Sequence, residues 1–122
     1  MDRIEEFNRN GKNFIFINLS GLKTGEEFSN QFNLIKPVIS KYNEFSLNSI
    51  TNIADIRIDA EIKDLMLDFI KHNKPYIKCS VVIGMDGIKK MMLNSMTKSC
   101  GRDNAFYVFT KEKAIEWILQ QP

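Results

Sequence analysis

The stretch VVIGMDGIKKMM, residues 81–92, sets Gly84, Gly87 and Lys89 where an apolar run becomes charged and periodic. Glycines followed by a lysine at a strand-to-helix junction are the residue types that cradle a phosphate. Backbone N–H groups converge on its oxygens and the ammonium adds charge. A P-loop, however, needs G-x-x-x-x-G-K-[ST]. Here the glycines stand too close together and no magnesium-binding hydroxyl follows the lysine. The dinucleotide-binding G-x-G-x-x-G is absent as well. Asp86 argues further in the same direction: at a helix N-cap its carboxylate takes the free N–H groups and puts negative charge where an anion would sit. The junction therefore reads as a tight structural turn.

The other chemically capable residues read no more strongly. His72 is the one histidine. It falls near a predicted helix C-terminus, where the dipole favours a cation, so it reads as a solvated end residue rather than a general base. No serine, cysteine or acid stands at a triad spacing from it. Met91, Met92 and Met96 follow helical spacing with Ile88 and read as core, not as a soft-metal site. Lys89, Lys90, Lys98 and Arg102 lack interleaved aromatics and read as a solvated face rather than a nucleic-acid groove. Asp55 stands without the clustered acids of a receiver-type phosphoacceptor, since the first long strand ends at Asn18-Leu19-Ser20. No catalytic residue, metal ligand or cofactor is expected.

The elements that must hold these residues follow from periodicity and cap chemistry. Asn10-Gly11 separates a short run containing Ile4 and Phe7 from the β-prone residues 14–19, which predicts a hairpin because both turn positions tolerate positive φ. Thr24 and Glu27 form a capping-box pattern, and Phe28, Phe32, Ile35, Ile39 and Tyr42 lay one apolar stripe along the helix that follows. Pro37 predicts a kink there. Residues 45–53, FSLNSITNI, alternate with more polar positions than a strand buried on both faces accommodates, so one sheet face is expected to be partly wet. A helix capped by Asp59 and closed by Asn73 and Pro75 comes next, then a central apolar strand over 76–84. A helix over about 86–99, a strand over 104–109 and a last helix capped by Thr110 complete the chain. Strands alternating with helices imply parallel pairings with right-handed crossovers. The expected product is one α/β domain, residues 1–122, with a mixed five-stranded sheet opening on an antiparallel hairpin, and four helices.

Length and composition bound the function. A chain of 122 residues buries about two thirds of its unfolded surface in a single core. Seventeen basic residues against fifteen acidic ones leave a charge of +2, too small to argue for nucleic acid. Cys79 and Cys100 form no C-x-x-C pattern, so two reduced thiols are expected. The polar start MDRIEEFNRNGK is unlike a signal peptide, and no apolar run reaches the roughly 20 residues of a membrane span. A cytoplasmic protein without a membrane span is expected.

The ordered segments NFIFINLSGLKTGEE, NKPYIKCSVVIGMDGIKKMM and FYVFTKEKAIEWI resemble small bacterial proteins related to STAS domains, the sulfate-transporter and anti-sigma-factor-antagonist group. The resemblance spans nearly the entire chain. It implies a STAS-like β–α superhelix with helices largely on one face of the sheet. In the antagonist branch a phosphorylatable serine opens the helix after a central strand. The matching region here, TNIADIRIDAE, contains no serine, and Thr51 lies earlier, so that switch does not carry over. Asn18 stands where relatives often have an acid. Single-domain STAS-like proteins often work by docking, so the resemblance implies a non-catalytic regulatory module whose partner is another protein. The alternative is a domain binding a small molecule, a nucleotide or short apolar ligand, in the crevice beyond the strand carboxyl ends. Either use places the functional surface at Ser20, Asn52, Ile53, Asp55, Met85 and Asp86, where loops after parallel strands converge.

Overall fold

The computed structural model describes residues 3–84, 105–107 and 110–121. Strands β1 (Ile4–Arg9) and β2 (Lys12–Asn18) form an antiparallel hairpin in which Arg9 faces Lys12. Its two-residue turn works because Asn10 and Gly11 both take positive φ, +55° and +80°. Helix α1 (Gly25–Ile39) follows, then β3 (Leu47–Asn52), α2 (Ala60–Asn73), β4 (Ile77–Ile83), the three-residue β5 (Ala105–Tyr107) and α3 (Lys111–Leu119). The strands lie in chain order across one sheet, with β2 to β5 all parallel.

Local chemistry sets the helix starts. Glu27 N donates to Thr24 Oγ1 at 3.1 Å while the Glu27 carboxylate takes Thr24 N at 3.0 Å, a closed capping box. Asp59 accepts from Ile62 N at 2.9 Å, and Thr110 from Lys113 N at 3.1 Å. Pro37 lies inside α1 and does not end it. The helix continues two residues past it to Ile39 and ends with Ser40 N donating to Lys36 O at 3.0 Å.

Two expectations are corrected. First, helices lie on both faces of the sheet. Helices α1 and α2 bury Phe28, Phe32, Ile35, Ile62 and Met66 against Ile15, Ile17 and Leu47. Ala114, Ile115 and Ile118 of α3 cover Phe14, Ile50, Val81 and Ile83 on the other face. The cause is topological. Crossovers of one hand between strands laid down in order deposit their helices on the same side. Among the described residues α3 leads to no further strand, so it is free to cover the opposite face, which is itself apolar and would otherwise stand in water. The described residues hold three helices, where four were expected, and a sheet of four long strands plus the short β5. The helix expected over 86–99 lies outside the described residues.

Second, the first four residues of β3 are buried on both faces of the sheet. Leu47, Asn48, Ser49 and Ile50 are all buried. The polar pair is tolerated because its hydrogen bonds are made internally. Ser49 Oγ donates to Ser80 Oγ at 3.0 Å, and Asn48 Nδ2 donates to Asn13 O at 3.0 Å.

Candidate functional site

Parallel registration brings the carboxyl ends of β2, β3 and β4 onto one line. Asn18 pairs with Asn52, and Asn52 with Ile83. The ladder continues past the strands through Leu19 N to Asn52 O at 2.9 Å, Ile53 N to Ile83 O at 3.0 Å and Gly21 N to Ala54 O at 2.9 Å. Two loops are thereby tied to each other and to β4 before any side chain contributes.

Side chains complete the tie. Asn18 Oδ1 accepts from Ser20 N at 3.1 Å, from Ser20 Oγ at 2.6 Å and from Asn52 Nδ2 at 3.4 Å. Asn52 Oδ1 in turn accepts from Ala54 N at 3.0 Å. These are short polar side chains closing turns two residues ahead, the local geometry that asparagine favours. Arg3, at the start of the hairpin, sets Nη1 against Asn18 O at 3.0 Å and Ser20 O at 2.9 Å. Gly84 holds φ at +81°, and a Cβ there would lie 2.5 Å from Asn52 Oδ1 and 2.7 Å from Ala54 N. The glycine closing the apolar run is required by this approach.

Asp55 is exposed and takes φ of +56°, a conformation that aspartate accepts more readily than most residues. Lys23 Nζ donates to its carbonyl oxygen. Beside it, the Glu27 carboxylate is held below the usual range by the backbone N–H groups of Lys23 and Thr24 and by the Thr24 hydroxyl.

Of the residues expected at this surface, Ser20 and Asn52 meet through Asn18, and Asp55 lies on the same pair of loops. Ile53 does not belong to it. It is 1% exposed and packs in the core beneath the loops, because the residue after β3 still follows the inward alternation of the strand. Met85 and Asp86 lie outside the described residues. His72 sits elsewhere, at the end of α2, with Nδ1 2.9 Å from Asn73 Oδ1 and its ring against Tyr76. The sequence reading missed Arg3, whose distance in the chain leaves no local signal, and the joint role of Asn18 and Gly84. Their signal was an amide ending one strand and a glycine ending another.

Among the described residues no group of three or more His, Cys, Asp or Glu is placed to hold a metal ion, and no helix is long and apolar enough to cross a membrane. A concave region, about 240 Å³, lies beside β1 and is lined by Phe7, Arg9, Lys111 and Ile115 among others. Sites for drug-sized molecules start at about 300 Å³. A scan against protein-family models finds no match, and neither does a search of curated proteins.

Proposed function

We propose that the chain is a non-catalytic regulatory module of STAS-like type that docks another protein through the loops at the carboxyl ends of β2, β3 and β4. The observation that carries this reading is the closed network at Asn18, Ser20, Asn52 and Ala54, braced by Arg3. These bonds tie the loops to one another in the free protein and leave Asp55 exposed on them. A surface ordered before binding loses less conformational entropy when a partner arrives, so preorganisation of this kind favours docking. Proton transfer needs a group poised to gain and lose a proton, and the amides and hydroxyl of this network are not such groups.

The test is a capture from native lysate followed by backbone chemical-shift mapping with the captured protein. Perturbations should centre on Ser20, Asn52, Ala54 and Asp55. Asp55→Asn, which keeps the tolerance for left-handed φ and removes only the charge, should weaken the complex about tenfold while the thermal midpoint stays unchanged. Perturbations confined to the opposite sheet end, near Lys12 and Tyr76, would overturn the placement. A thermal shift with nucleotides or short-chain lipids, and no captured protein, would favour the small-molecule alternative.

A further inference from the structure

Among the described residues the β1 edge of the sheet is open, and its sequence is complementary to itself. Asn18 N donates to Arg3 O at 2.7 Å, so in the β1–β2 ladder the odd-numbered residues of β1 turn their backbone groups toward β2. The N–H and C=O groups of Ile4, Glu6 and Asn8 therefore point away from the sheet. Glu5, Glu6, Asn8 and Arg9 are exposed, and no other described element covers this edge. Unpaired strand edges are templates for a further strand, and proteins usually guard them with charge. Here the charges are of both signs and symmetrically placed.

We infer that β1 pairs antiparallel with β1 of a second copy, about a two-fold axis through Phe7, joining two sheets into one. Because the outward groups belong to even-numbered residues, the axis must pass through a residue and not between two. An axis through Glu6 sets Glu6 against itself, and one through Glu5 does the same to Glu5. An axis through Asn8 leaves Glu5 opposite the turn. The axis through Phe7 places Glu5 opposite Arg9 of the second copy, Glu6 opposite Asn8, and Phe7 opposite Phe7. It also makes Glu5–Arg9 and Phe7–Phe7 the non-hydrogen-bonded pairs, in which facing side chains come closest.

The surroundings are already arranged for this. Phe7 stacks on Phe14 with centroids 5.0 Å apart and planes 4° from parallel, so it is held in place from within the sheet. Arg9 lies 5.7 Å from the Phe7 centroid and Lys111 5.5 Å from it. Lys111 pairs with Glu5 at 2.6 Å. A second copy's Arg9 would complete a cation–carboxylate–cation row, and its Phe7 would close the mouth of the concave region beside β1.

Sedimentation equilibrium from about 1 μM to about 1 mM tests this. The wild type should pass from monomer to dimer across the range. Asn8→Pro removes an outward N–H that the β1–β2 ladder does not use, and should leave a folded monomer by circular dichroism. E5R and R9E should each weaken self-association at least tenfold, since each sets like charges opposite one another. An equal mixture of the two should regain the dimer, because the E5R chain then presents two cations at positions that face the two carboxylates of the R9E chain. A wild type that stays monomeric throughout overturns the inference. So does a dimer that survives Asn8→Pro, or a mixture no more associated than its components; if Asn8→Pro fails to fold, the charge pair decides.

Discussion

Gly84 is the residue on which the carboxyl-end network closes. Two features restrict it: φ of +81°, and the closeness of Asn52 Oδ1 and Ala54 N to where a Cβ would stand. Gly11 shares the first, with φ of +80°, but has nothing within 4 Å of a Cβ. Comparing the two separates the contributions. Gly11→Ala should cost about 1 kcal/mol from backbone strain alone. Gly84→Ala should cost about 2–4 kcal/mol, because backbone at 2.7 Å must move as well. Urea unfolding of both variants gives the answer, and equal losses would mean that the approach to Ala54 is not the constraint.

At the scale of the element, the start of α1 carries a pH dependence whose sign follows from Glu27. Its folded pKa lies below the ordinary value of 4.5, chiefly because backbone N–H groups of Lys23 and Thr24 favour the charged form. A carboxylate with a depressed pKa contributes stability that is present above the unfolded value and lost as pH falls through the folded one. The contribution should therefore fade below pH 4.5. Glu27→Gln keeps an acceptor oxygen for the same donors and removes the titration. Its unfolding free energy should fall less steeply than wild type between about pH 5 and about pH 3. Parallel curves would show that the cap does not distinguish the two protonation states. Asp68, held below its usual range chiefly by its hydrogen bond to Lys36, is left in place by the substitution.

For the whole molecule, the decisive feature is a sheet packed on both faces. Ile35 of α1 and Ile115 of α3 are 0% and 2% exposed, in separate cores on opposite sides. Truncating either to alanine should cost about 2–5 kcal/mol, since each leaves a cavity in a closed core. A sheet with one wet face would give that loss for Ile35→Ala and less than about 1 kcal/mol for Ile115→Ala. Thermal or urea unfolding distinguishes the two. Two-sided packing also explains why β3 tolerates Asn48 and Ser49: with water excluded from both faces, each must find a protein partner, and each does.

What could be read from the chain alone were the features decided within a few residues. Asn10-Gly11, the Thr24–Glu27 box, and the caps at Asp59 and Thr110 each depend on contacts at most three positions apart, and all stand where their residue types predict. The stripe of α1 was legible for the same reason, because helical periodicity is local. The face taken by α3, the burial of Asn48 and Ser49, and the joining of Arg3, Asn18, Ser20, Asn52 and Gly84 came only with the tertiary structure. Each depends on strand register and on which side of the sheet a later segment returns to. Those are set by contacts between residues tens of positions apart, where no local pattern records which partner a side chain will meet. The same asparagines that read as ordinary turn residues become one network because parallel strands bring Asn18 and Asn52 into register.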